Sequence, residues 1–245
     1  MEYSFTAASY SVASMLIAFG ALLGKVGPFE LLITAVVGVF GYCLNENLVY
    51  EKIKAFDAGG STAIHTFGAF YGIIISFFLG RVTFCRRTPP TNANSNTFAM
   101  IGTVFLWMYW PSFNAGYFPT SGFERSLIIS NTILSLTGSC LGCFVVTSTL
   151  RDRFSMEDIL NASLAGGVII GAPCGLALNP AASLAIGFLA GILSTVCFAR
   201  LTEKMYTFIG VHDTCGVNNL HGLPGFFGGI VSAIVIGSHN VSNFN

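Results

Sequence analysis

Long uncharged stretches separated by short charged clusters set the pattern of apolar and polar positions along this chain. They fall near residues 7–24, 29–50, 58–80, 96–119, 126–150, 160–178, 181–199 and 215–238. At 1.5 Å rise per residue, a run of about 18 or more apolar residues matches the ~30 Å hydrocarbon layer of a bilayer. Such runs are too long for the roughly 10-residue strands of a barrel, and a bilayer admits only helices or closed barrels. The pattern therefore predicts an all-α polytopic membrane protein with about eight transmembrane helices. Glu30 and Glu46 bracket the apolar core of the second run. Glycines four apart in GGVIIGAPCG (166–175) and GFLAG (187–191) predict helices whose backbones approach closely. Pro89 and Pro90 fall in the longest polar loop.

Composition narrows the reading further. Only 9% of the 245 residues are charged and 53% are hydrophobic, so a water-facing surface cannot be covered. The formal net charge of +0 removes any case for nucleic-acid binding. If the spans alternate in direction, Lys25, Arg81, Arg86, Arg87, Arg151, Arg153, Arg200 and Lys204 share one side. Lys52, Lys54 and Arg125 share the other. The positive-inside rule then predicts the first set in the cytoplasm and residues 1 and 245 on the extracellular side. The seven cysteines lie mostly within apolar runs. CLGC (140–143) has redox or metal spacing but lacks a second pair, so all are read as small core residues.

Two histidines sit just inside apolar runs, where an ionisable group signals function by default. His65 follows Asp57 by eight residues, and His221 follows Asp213 by eight. At an offset of 156, Ala69-Phe70-Tyr71-Gly72 meets Gly225-Phe226-Phe227-Gly228, Ile74 meets Ile230 and Ser76 meets Ser232. This is an internal repeat. Its copies occupy the third and eighth spans and run in opposite directions, so the repeat is inverted, as in many transporters with a site at the bilayer midplane. Eight helical residues carry each imidazole ~12 Å inward from its aspartate, from opposite faces. The two rings are thus expected to meet edge to edge near mid-membrane. Spans five apart imply five-helix repeat units, which predicts two further helices before the first and an incomplete domain over 1–245. Asp57 and Asp213 are expected to cap the starts of their helices, with some steering of cations. His212 and His239 lie at span ends and carry no such weight. The sequon at 240–242 falls almost at a span end.

DAGGSTAIHTFGA (57–69), FAMIGTVFLWMYWPSFNAG (98–116) and HDTCGVNNLHGLPGFFGGI (212–230) resemble the ammonium transporter family, in particular its Rhesus (Rh) glycoprotein branch. VASMLIAFGALLGKVGP (12–28) and NASLAGGVIIG (161–171) fit the same branch, so the likeness covers nearly the whole chain. The resemblance implies eleven or twelve helices in a complete member, hence a fragment lacking the first helices and the last. It implies a homotrimer in the plasma membrane that moves ammonia or ammonium through a narrow apolar pore in each subunit, without enzymatic activity or cofactor. Its paired pore histidines match His65 and His221, its vestibular aspartates Asp57 and Asp213. Its two stacked gate aromatics match Tyr10 and Phe113, and Tyr10 departs from the usual phenylalanine. YCLNENLVYEKIKAF (42–56) lacks the tryptophan of the bacterial-type cation site, which implies facilitated exchange rather than high-affinity recruitment. Two other readings compete: a non-conducting Rh-like structural subunit, and a bis-histidine haem protein.

Overall fold

A computed structural model describes residues 2–80, 92–116 and 122–238. Arg81, Arg86, Arg87, Pro89, Pro90, His239, the 240–242 sequon and both terminal residues lie outside the described residues. Everything regular among the described residues is helical. Helix α1 (Glu2–Leu22) is followed by α2 (Pro28–Glu46), which continues through a π turn at Asn47–Lys52. A second π turn, Ser61–Thr66, runs into α3 (Phe67–Leu79). Helices α4 (Ala93–Asn114) and α5 (Gly122–Leu150) come next, then the short α6 (Met156–Ala162) and α7 (Ala165–Ile170). Helix α8 (Pro180–Val196) extends through a π turn, α9 (Thr202–Lys204) and another π turn to Ile209. A last π turn, Asn218–Gly222, opens α10 (Leu223–Ser238).

Six of these helical stretches are long and apolar enough to cross a membrane: Phe5–Leu22, Pro28–Lys52, Ser61–Leu79, Gly122–Leu150, Pro180–Ile209 and Asn218–Ser238. The chain is an integral membrane protein. Helix α2 shows the lipid-facing pattern most plainly, with Phe29, Leu32, Val36, Phe40 and Leu44 all exposed. In water that stripe would be a liability; against lipid tails it loses nothing.

Two expected spans turn out differently. Helix α4 has the length of a span, 22 residues, but Asn94, Ser95, Asn96, Pro111, Ser112 and Asn114 thin its apolar character. The run 160–178 is not one helix. It breaks between α6 and α7 and again at a 3-10 turn, Pro173–Gly175. Glycines at 166, 167 and 171 weaken helix propensity and Pro173 has no N–H to give. Irregular backbone at membrane depth is tolerated only where protein buries and satisfies it. Here α7 is wholly buried, and side-chain hydroxyls do the satisfying. Ser135 Oγ donates to Gly166 O (2.7 Å), Ser139 Oγ accepts from Gly166 N (2.9 Å), and Ser61 Oγ donates to Val168 O (2.6 Å) while accepting from Ala172 N (2.6 Å). Ser135 and Ser139 are thus packing groups.

The expected close approach of glycine-bearing helices is found between α5 and α8, which pack along each other more extensively than any other pair. A Cβ on Gly187 or Gly191 would collide with the carbonyls of Ser135 or Ser139, and one on Gly138 or Gly142 with those of Leu184 or Phe188. The interlock is reciprocal.

Candidate functional site

The two repeat copies fold the same way. Gly60 and Gly216, 156 residues apart, both sit at φ 70°, the left-handed region that glycine adopts without strain. Each lets the chain turn sharply from an aspartate into a π-helical first turn. Asp57 Oδ2 accepts from Thr62 N (2.9 Å), Thr62 Oγ1 (2.5 Å) and Ala63 N (2.9 Å). Asp213 Oδ1 accepts from Val217 N (2.9 Å) and its Oδ2 from Asn218 N (2.8 Å). Both carboxyls are therefore helix caps, 1% and 5% exposed. Burial pushes each up from the usual carboxylate range, while the N–H donors oppose the shift.

Antiparallel contacts tie the copies together and reveal a pseudo-two-fold relation. Ser232 Oγ donates to Phe56 O (2.8 Å), and Ser76 Oγ donates to His212 O (2.7 Å); both pairs are related by the 156-residue offset. Gly59 N donates to Gly171 O (2.6 Å) and Cys215 N to Gly20 O (3.0 Å). Gly72 lies against the Ala18 carbonyl as Gly228 lies against that of Ile169. The start of the first copy meets the end of α7 while its helix α3 packs on α1, and the start of the second meets α1 while its helix α10 packs on α7, so α1 and the broken α6–α7 pair are counterparts.

At the centre of this arrangement His65 and His221 meet. Their Nδ1 atoms are 3.1 Å apart, the rings are 11° from parallel and the centroids 5.1 Å apart. The near-parallel rings meet through their Nδ1 atoms. A neutral imidazole has one donor and one acceptor nitrogen, so one Nδ1 carries the shared proton and the other receives it. The far nitrogen of His65, Nε2, is buried and has no partner among the described residues. The two axial nitrogens of a bis-histidine haem stand in trans, about 4 Å apart across the iron at about 2 Å each, whereas this 3.1 Å contact has the length of a hydrogen bond.

The rings form part of the wall of a cavity of about 450 Å³ lined mainly by apolar side chains, among them Ile17, Leu106, Trp110, Phe113 and Leu220. Trp110 stacks on His65 at 5.6 Å and 18°, and Phe113 leans on it at 5.8 Å. Phe113 lines the cavity; Tyr10 does not. The Tyr10–Phe113 pair is edge-to-face (4.9 Å, 87°) rather than stacked, because the Tyr10 hydroxyl is anchored on Phe113 O (2.7 Å). Removing that anchor in Tyr10→Phe is expected to lower stability by about 0.5–1.5 kcal/mol, the net value of one hydrogen bond. Reversible unfolding in mixed detergent micelles reads the change, and an unaltered midpoint would show the bond to be idle.

Sequence reasoning missed several contributors. Gly60 and Gly216 were visible at the same offset as the histidines. Trp110, one of two tryptophans, gave no sign that it backs His65. In the sequence Lys25 shows only as a charge on one side. In the structure its Nζ donates to Ala21 O (2.5 Å), Ser76 Oγ (2.7 Å) and His212 O.

Paired half-helices that run in opposite directions, cross at two hydrogen-bonded imidazoles and rest on an interrupted helix define an inverted-repeat membrane protein of the transporter kind. Comparison with known proteins gives the particular family. The model of the Ammonium Transporter Family matches residues 3–244. Ammonium transporter Rh type C of Homo sapiens is 43% identical over 235 residues, covering 94% of this chain and 49% of that protein. Ammonium transporter Rh type A of Canis lupus familiaris is 41% identical, covering 94% and 56%. The solved structure of Nitrosomonas europaea Rh50, a Rhesus-family channel, superposes with TM-score 0.87 at 36% identity, covering 94% of this chain and 62% of that one. The chain belongs to the ammonium transporter family, and it spans about half the length of the curated relatives it matches.

Proposed function

We propose that this chain provides a channel-type path for ammonia or ammonium, with His65 and His221 as its substrate-handling groups. The observation that carries the reading is the 3.1 Å contact between two imidazoles in the wall of a cavity lined mainly by apolar residues. Stripping water from an ammonium ion costs tens of kcal/mol in the simple Born limit. Neutral ammonia avoids that cost but still needs a donor and an acceptor along the way, and the pair offers both without a fixed charge. A carboxylate or lysine at the same depth would be costlier and would hold the substrate too tightly to release it. In this reading Phe113 and Tyr10 narrow the approach to His65, and Asp57 and Asp213 fix the helix starts that deliver the rings. The chain works as a homotrimer in the plasma membrane.

The full chain reconstituted in proteoliposomes tests this. A sudden inward ammonia gradient is expected to raise the internal pH, as entering ammonia takes up protons, several-fold faster than in protein-free vesicles, read by stopped-flow fluorescence of a trapped dye. Equal rates would leave a non-conducting membrane subunit as the surviving reading.

A further inference from the structure

The pseudo-two-fold relation is broken by one charge, and the break falls beside Cys215, which lines the cavity. At the Asp213 end, Lys25 places its ammonium group among Ala21 O, Ser76 Oγ and His212 O. An ammonium group has three hydrogens, and all three are used. Thr214 Oγ1 also donates to Ala21 O (3.4 Å), as Ala58 N donates to Ala172 O (3.4 Å) at the other end. The matched acceptors at the Asp57 end are thus Ala172 O, with Ser232 Oγ and Phe56 O. Counting from the Gly20–Gly171 and Ala18–Ile169 correspondences, the residue that answers to Lys25 is Leu176, a buried apolar side chain.

The two carboxylates differ in the same sense. Both oxygens of Asp213 are bonded to N–H groups, which fixes it as an acceptor at both atoms. At Asp57 the three short bonds all fall on Oδ2, the Ser61 amide only helps to hold the carboxyl down, and the buried Oδ1 has no hydrogen bond of normal length among the described residues. One end therefore carries its own alkylammonium ion, and the carboxylate at the other is held by hydrogen bonds alone, with no cationic side chain beside it among the described residues.

We propose that Lys25 sets the sidedness of the path: it is a tethered ammonium group that fills the Asp213 end, so that ammonium-type cations compete for passage only from the Asp57 end. Lys25 touches neither histidine. It acts through Ser76, the His212 carbonyl and the charge of Asp213. Among the described residues, the titratable groups facing it are His212, Asp213 and Cys215. Burial pushes its amine down to about 8, against Asp213 and Cys215, so at neutral pH it remains mainly a cation. The inference rests on the transport reading above.

Methylammonium, almost wholly a cation at about pH 6.5, is the probe. Right-side-out and inside-out vesicles from the same cells expose each mouth in turn, and ammonia flux is measured with methylammonium on the outer face. For the parent chain, the half-inhibiting concentration is expected to be about tenfold lower at the Asp57 mouth, a gap set by one uncompensated charge a few ångströms away. In K25M the two mouths are expected to agree within about threefold, because the Asp213 charge is now unanswered. K25R should keep the parental gap, and K25M/D213N, which removes both charges, should restore it. If K25M does not reach the membrane, K25Q is read in its place. A parental gap that persists in K25M or K25Q, or a gap lost equally in K25R, overturns the proposal. Parent vesicles no faster than empty ones would strike the transport reading itself, a result told apart by flux without any methylammonium.

Discussion

Replacing both His65 and His221 with alanine is expected to lower ammonia permeability per reconstituted protein by about ten- to a hundredfold. The reasoning is local. Between Phe113 and Leu220 the cavity wall is chiefly apolar, and the imidazoles supply its paired donor and acceptor at that depth. Without them a small amine passes with its own hydrogen bonds unmade, at roughly 1–3 kcal/mol for the lost partners. Each 1.4 kcal/mol is about tenfold in rate. Alanine also opens space, and water entering it would offset part of the loss, which is why the lower end of the range is tenfold. A purely structural role for the pair predicts something else: less folded protein, with parental flux from each molecule that does fold. Stopped-flow flux normalised to folded protein separates the two, and parental flux from the double variant would remove the pair from the mechanism.

The inverted repeat was legible because its marks are chemical and ordered. Asp57 with Asp213, His65 with His221 and Ser76 with Ser232 keep one offset, and each pair has a matched role in the structure. Helix direction and rise then placed the rings together with no further information. The break at 171–175 was not legible, because a count of apolar residues cannot tell a continuous helix from an interrupted one whose backbone is satisfied by hydroxyls of Ser61, Ser135 and Ser139. The π turns were equally hidden, since they depend on where Asp57 and Asp213 hold the first amides. Tyr10 and Phe113 stood out only through family resemblance, and their edge-to-face geometry depends on one hydroxyl that the family pattern does not carry. Lys25 was invisible as a site residue for a different reason: its three acceptors come from α1, α3 and the stretch before α10, and no linear motif joins them.

The other large effect concerns the scaffold. Gly187→Leu is expected to destabilise the protein by about 3 kcal/mol or more. Overpacking alone accounts for roughly 1–3 kcal/mol in a well-packed interior. Here the obstacle is backbone rather than a side chain that can swing away, since the added Cβ meets the Ser135 carbonyl. Moving α8 off α5 would also strain a network that holds the broken segment. Ser183 Oγ donates to Asn131 Oδ1 (2.9 Å), and Asn131 Nδ2 donates to Cys174 O (2.8 Å). Losing these contacts frees the irregular backbone at 171–175, where an unsatisfied polar group in a membrane costs several kcal/mol. Gly102→Leu is the matched control, because a Cβ at Gly102 meets nothing within 4 Å and α4 is exposed there. There the substitution gains helix propensity and is expected to be neutral or slightly stabilising. Thermal unfolding in detergent, followed by tryptophan fluorescence from Trp107 and Trp110, should drop sharply in the first variant and hold in the second. Equal midpoints would mean that α5 and α8 are not interlocked through their glycines.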